Sequence, residues 1–161
     1  MTIKVGDKLP QATVRLITAD GPKPVTTQEF FGGKKVVLFG LPGAFTPTCH
    51  KNHLPGFLTE EAAFKAKGVD EIAMTSVNDP FVLTEWAKAT GSAGHIAFLA
   101  DGNAEFARAL GLEFDASMGG LGMRSKRYAA LVEDGVVKLL NIEESPGKAD
   151  LSSASHLLAQ M

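Results

Sequence analysis

Cysteine is almost absent from this chain: of 161 residues, only Cys49 carries a thiol. A single cysteine excludes an intramolecular disulfide and any zinc site built from several cysteines. It fits a reducing compartment. An excess of one charge is also lacking, since 16 Lys and Arg stand against 18 Asp and Glu, for a net charge of −2. That balance leaves no electrostatic footprint for nucleic acid or an anionic membrane surface. The densest cationic groups, Lys34-Lys35 and Arg124 to Arg127, are too short to act as a basic arm. No apolar run approaches the roughly 20 residues that cross a bilayer. The segment from Met1 to Asp7 lacks the apolar core of a signal peptide. A soluble, cytoplasmic protein is the expectation. Repeats, linkers and low-complexity segments are missing as well, which predicts a single domain over residues 1–161.

What is present is an ordinary globular composition, 45% hydrophobic and 21% charged, in a chain long enough to bury a core without metal or disulfide. Ala12 to Ile17 reads as a strand, followed by a turn at Asp20-Gly21-Pro22 with Pro24. Thr27 is placed to cap a short helix through Phe31. The run Val36-Val37-Leu38-Phe39-Gly40 does not alternate, the pattern of a strand covered on both faces. Val69 to Val77 and Ile96 to Ala100 read as further strands. Asn78 or Asp79 caps a helix with Pro80 in its first turn, carrying Phe81, Val82, Trp86 and Ala89 at helical spacing. A helix from about Ala104 ends at Gly111. Asp134-Gly135, between Arg127 to Glu133 and Val136 to Ile142, is the strongest hairpin signal in the chain. Leu151 to Met161 reads as a final helix with Leu157 and Leu158 inward. Strand–helix alternation plus a late hairpin predicts an α/β fold with a mixed central sheet and helices on both faces, in the thioredoxin-like order.

The lone cysteine falls at a chosen place. Thr46 is a good N-cap and Pro47 suits the first helical position, so Cys49 is the third residue of the first turn. Backbone N–H groups there lack intrahelical partners, and the helix dipole adds positive potential, so a thiolate is favoured over a thiol. The cap geometry brings the Thr46 hydroxyl toward the Cys49 N–H, or lets it turn to the sulfur or a substrate oxygen. On these grounds alone a reactive Cys49 and an inert, buried one stand level. Pro55 clashes with the carbonyl of Lys51, which predicts a kink near Leu54 before a second helical segment ending near Gly68.

The segment Pro42-Gly43-Ala44-Phe45-Thr46-Pro47-Thr48-Cys49 resembles the Pro-x-x-x-Thr-x-x-Cys signature of the peroxiredoxins. Lys51 to Phe57, Ser76 to Val82, Glu85-Trp86 and Arg124 to Tyr128 resemble the type II, peroxiredoxin-5-like branch, and the likeness runs through essentially the whole chain. The resemblance implies a thioredoxin-like fold and a thiol-dependent peroxidase for hydrogen peroxide and organic hydroperoxides, without cofactor or metal. It implies that Cys49 is the peroxidatic cysteine, Thr46 the hydroxyl that orients the peroxide, Pro42 the shield of the sulfur, and Arg127 the cation facing it. The backbone N–H of Cys49, and those of Ala44 or Phe45, are candidates to hold the peroxide in line. A non-covalent homodimer is implied, with Phe45 at its seam.

Many type II members carry a second, resolving cysteine. Here the corresponding stretches hold Asp150 to Ser153 and Met74, so the sulfenic acid must be resolved by an outside thiol, glutathione with glutaredoxin or thioredoxin. Arg124 competes with Arg127: three residues apart on one strand they would face opposite ways, and only one would reach Cys49. His50 and His53 beside Cys49 invite a cysteine–histidine base reading, but no third orienting group is evident, and packing or hydrogen bonding is preferred. His95 and His156 stand alone, without the partners of a metal site. The glycines of Gly119-Gly120-Leu121-Gly122 lack the Gly-Lys-Ser/Thr of a phosphate loop. Trp86 and the phenylalanines are expected to fill the core.

Overall fold

The computed structural model describes residues 1–161. Its centre is a seven-stranded mixed sheet in the order β2-β1-β5-β4-β3-β8-β9. These strands are β1 (Thr13–Thr18), β2 (Gly21–Thr26), β3 (Lys35–Gly40), β4 (Glu71–Ser76), β5 (Ala97–Ala100), β8 (Tyr128–Glu133) and β9 (Val136–Ile142). β3, β4 and β5 run parallel, while β1 and β8 pair antiparallel on either side of them. The helices are α1 (Thr27–Phe31), α2 (Leu54–Thr59), α3 (Glu61–Ala66), α4 (Pro80–Thr90), α5 (Glu105–Leu110) and α6 (Ala154–Gln160). This is the expected thioredoxin-like α/β arrangement.

The unalternating apolar run on β3 is explained by cover on both faces. Val37 and Phe39 enter one core with Cys49, Leu54, Phe57, Phe64, Leu83, Trp86 and Leu157. Val36 and Leu38 enter the other, with Phe30, Phe31, Phe106, Leu110 and Tyr128. Successive side chains of a strand point oppositely, so one strand must supply two cores. Helices α2, α3, α4 and α6 therefore cover the Cys49 face, and α1 and α5 the other.

Several expectations need correction. The turn read at Asp20-Gly21-Pro22 with Pro24 is confined to residues 19–20, and Gly21–Thr26, prolines included, form β2, paired with β1. β2 is an edge strand, where a proline's missing N–H leaves no ladder partner wanting. α1 is capped by Thr26, not Thr27: Thr26 Oγ1 accepts from the Glu29 N–H while Glu29 Oε1 accepts from the Thr26 N–H, a capping box. Thr27 is instead buried, its hydroxyl donating to Pro10 O. A small two-stranded sheet of β6 (Glu113–Asp115) and β7 (Met123–Ser125) was not legible, being only three residues a strand. Not every phenylalanine is interior: Phe45 and Phe81 are 51% and 72% exposed. Asp79 is the cap of α4, accepting from the N–H groups of Phe81 and Val82.

Candidate active site

Strand β3 delivers the chain into residues 41–46, which are tied to β4 where the Leu41 N–H donates to Thr75 O at 3.2 Å. The helix then starts as its residues demand. The Thr46 carbonyl takes the first bond, from the His50 N–H at 2.9 Å, with Pro47 next in line. The Thr46 hydroxyl, however, does not cap Cys49. It donates to Gly43 O at 2.6 Å, which leaves its lone pairs to accept. The expected kink is also resolved differently. Cys49–His53 form a π turn, with the Leu54 N–H reaching back five residues to Cys49 O. The wider turn absorbs the conflict of Pro55 with the Lys51 carbonyl without a break, and the chain bends only later, at Glu60.

Cys49 is wholly buried. The Arg127 Nη2 donates to its sulfur at 3.0 Å. Arg127 is itself buried, and its remaining bonds fix the guanidinium like a clamped fork. Nε and Nη2 donate to Pro146 O at 3.1 and 3.0 Å, and Nη1 donates to His53 Nδ1 at 3.0 Å. The His53 ring has a defined tautomer, because Nε2 faces Ser152 O at 2.9 Å and must donate to it. Burial and the adjacent Arg127 charge push the His53 pKa down to about 3, so the ring is neutral and Nδ1 accepts. The network closes on itself. The Ser152 N–H and hydroxyl both donate to Glu143 Oε2 at 2.7 Å, and the Glu143 N–H donates to Arg127 O.

His53 thus faces Arg127 rather than the sulfur, and the cysteine–histidine base reading gains no geometric support. His50 turns the other way: its Nδ1 accepts from Trp86 Nε1 at 2.9 Å, and the Phe45 ring stacks on it at 5.7 Å. The two arginines do not share a strand. Arg124 lies on β7 and Arg127 just before β8, so the alternation argument does not apply to them. Both heads come to the same region: Arg124 Nη1 donates to Pro42 O at 3.1 Å while Nε donates to Leu121 O. A Cβ at Gly43 would meet Arg124 Nη1 at 2.5 Å, so a side chain there would displace the Arg124 head.

Pro42 is buried in the same loop. The Ala44 N–H is already bonded, to Asn78 Oδ1 at 2.9 Å, and is therefore not free to hold a peroxide. The N–H groups of Phe45 and Cys49 have no protein acceptor. Asn78, Glu143, Pro146 and Ser152 were missed as site residues. Pro146 meets Arg127, and Ser152 meets His53, through main-chain carbonyls, which leave no mark on side-chain identity.

The redoxin family profile matches residues 4–158. A rice (Oryza sativa subsp. japonica) protein, peroxiredoxin-2E-2, chloroplastic, is 52% identical and covers 98% of this chain and 72% of its own length. This chain is a peroxiredoxin. A second rice relative, peroxiredoxin-2C, is 47% identical, covering 97% of this chain and 96% of its own. The solved structure of reduced Prx3 from Vibrio vulnificus in complex with H2O2 is 48% identical. It superposes with a TM-score of 0.93 over 99% of each chain. Membership of the peroxiredoxins makes the chain a thiol-dependent peroxidase, and its lone cysteine makes it a one-cysteine variant. No helix is long and apolar enough to cross a membrane.

Proposed function

We propose that Cys49 is the peroxidatic cysteine and that it works with Thr46 and Arg127 in a one-cysteine cycle. The observation that carries the reading is the 3.0 Å bond from Arg127 Nη2 to the Cys49 sulfur, inside a site from which water is excluded. A guanidinium so placed faces the attacking sulfur and the negative charge that develops as the O–O bond breaks. The thiolate attacks the terminal peroxide oxygen; an S–O bond forms, and the remaining oxygen leaves with a proton as water or an alcohol. Sulfur is oxidised to the sulfenic acid and the peroxide is reduced. The Thr46 hydroxyl, its proton held by Gly43 O, accepts from the peroxide O–H, and the unpartnered Cys49 N–H donates to it. Pro42 shields the sulfur, and the Phe45 N–H is a second donor. The hydrogen peroxide complex of the Vibrio vulnificus relative supports a peroxide of that size as substrate.

With Met74 buried in the core and Ser152 beside His53, resolution falls to a thiol from another molecule. Glutathione with glutaredoxin, or thioredoxin, attacks the sulfenic sulfur, releases water and leaves a mixed disulfide; a second thiol frees Cys49. Because Cys49 is wholly buried, such a thiol reaches it only when the turn carrying it opens. The exposed rings of Phe45 and Phe81, with exposed Val82 next to Phe81, support a non-covalent homodimer. We place the protein in the cytoplasm, as a single domain over residues 1–161.

Peroxide consumption measured with each donor in turn tests the cycle. Rapid turnover with one donor, abolished in Cys49→Ser, is expected; full activity in Cys49→Ser ends the proposal. Comparing glutathione plus glutaredoxin with thioredoxin identifies the reductant, and sedimentation of the reduced protein reports the dimer.

A further inference from the structure

Asn78 lies outside the segment that carries Cys49, between the end of β4 and the Asp79 cap of α4. Its Oδ1 accepts two bonds, from the Ser76 hydroxyl at 2.8 Å and from the Ala44 N–H at 2.9 Å. Ser76 is fully buried, so the amide is anchored on the sheet side. The Ala44 N–H and the Gly43 carbonyl belong to one peptide group. That group is planar, and in the trans form its N–H and C=O point in opposite directions. Asn78 therefore holds one end of a rigid plate whose other end accepts the Thr46 hydroxyl at 2.6 Å. The plate opens a tight turn, since the Thr46 N–H also reaches the Gly43 oxygen at 3.4 Å and Phe45 within the turn has φ of 63°, a left-handed conformation that bulky side chains avoid. Without the clamp, the 43–44 peptide is free to rotate about the bonds that flank it, and the Gly43 oxygen turns away from the Thr46 hydroxyl.

From this geometry we infer that Asn78 is a positioning residue for the peroxidase reaction, acting through the Gly43–Ala44 peptide to aim the Thr46 hydroxyl. The inference rests on the reading of Thr46 as the group that orients peroxide. Asn78 touches neither sulfur nor substrate. Its contribution is to restrict Thr46 to the rotamer in which its proton is engaged and its lone pairs are presented.

The test is a double-mutant cycle on the full chain, reading the second-order rate of Cys49 oxidation by hydrogen peroxide. Asn78→Ala is expected to lower that rate on the order of 10-fold, the scale of a small misplacement of a reacting group. Alkylation of Cys49 by iodoacetamide, which needs no aligned hydroxyl, is expected to stay within about 2-fold. Asn78→Asp keeps the acceptor and is expected to restore most of the rate. In a Thr46→Val background the Asn78→Ala change is expected to have no further effect, because there is no hydroxyl left to aim. If Thr46→Val is slow but Asn78→Ala multiplies its deficit in full, Asn78 acts by another route and this inference is overturned alone. Equal losses of peroxide and iodoacetamide rates mean a merely structural role and overturn it too. An unimpaired Thr46→Val overturns the reading of Thr46 and the inference with it.

Discussion

Arg127 and Tyr128 are neighbours in the chain and point to opposite faces of the sheet, and the two faces treat polarity differently. On the Cys49 face, Arg127, His53, Ser152 and Glu143 form a closed set of hydrogen bonds in a buried space. On the other face the Tyr128 hydroxyl is buried without a partner. Burial, with Asp101 adding repulsion, pushes its pKa well above the ordinary tyrosine value, so it remains a neutral phenol. Asp101 is likewise raised by burial, although it accepts from the Phe106 and Ala107 N–H groups. Around Arg127 the structure is specified by directional bonds between side chains, around the Tyr128 ring by shape. Tyr128 shows the second principle directly, since a Cβ at Gly40 would overlap its ring. A hydrogen-bonded network tolerates little substitution, whereas a shape-filled face tolerates loss of a hydroxyl but not gain of a methyl.

The contrast is sharpest at Arg127. Arg127→Lys keeps the charge but lacks the planar fork whose separate nitrogens reach sulfur, His53 and Pro146. Stopped-flow oxidation by hydrogen peroxide should slow by on the order of 100-fold, the scale of removing one preorganised donor. A rate within a few-fold of the parent would show that the charge alone suffices, and the face would not be bond-specified. Gly40→Ala probes the opposite face by overpacking it against Tyr128, and urea unfolding should show a loss of about 1–3 kcal/mol. No loss would mean that the ring shifts freely and that shape matters little there.

His53 supplies a pH test of the network. Its folded-state pKa, about 3, lies below the ordinary histidine value of 6.5. Above pH 6.5 the ring is neutral both folded and unfolded, and its full contribution to stability is present. As pH falls below 6.5 the unfolded state takes up the proton first, so stability declines by about 1.4 kcal/mol per unit until the folded pKa is reached. Between pH 7 and pH 5 His53 should account for a loss of about 2 kcal/mol in unfolding free energy. In His53→Gln that part of the pH dependence should vanish. An unchanged slope would place the titration elsewhere and loosen the network argument.

The smallest effect is expected at Tyr128→Phe, which removes an unpartnered buried hydroxyl. Stability should change by less than about 1 kcal/mol, toward gain, and the peroxide rate should not move. A marked loss in either would reveal a bond or a coupling between the faces that the geometry does not contain.

Much of the architecture follows from local chemistry that a sequence displays. Pro47 after Thr46 starts a helix, Asp79 before Pro80 starts another, and Asp134-Gly135 turns β8 into β9; each feature acts over a few residues and stood where it was expected. The exceptions have physical causes. Prolines that signal a turn are equally at home on an unpaired edge, as in β2. A proline that signals a kink was accommodated by a π turn, because residues 49–53 could widen around Lys51.

By itself, then, the sequence determined that one thiol sits in the first turn of a helix following a buried strand, and that the chain holds no second thiol to pair with it. Only the tertiary structure decided what surrounds that thiol. Arg127 is 78 residues from Cys49 along the chain and meets it at 3.0 Å because β8 pairs with β3. His53 is neutral because burial and Arg127 make it so, not because of its neighbours in sequence. The Gly43–Ala44 peptide is aimed by an asparagine on another strand's end. Local rules reach as far as a turn or a cap; charge, burial and register are collective, and they exist only once the sheet has brought distant segments together.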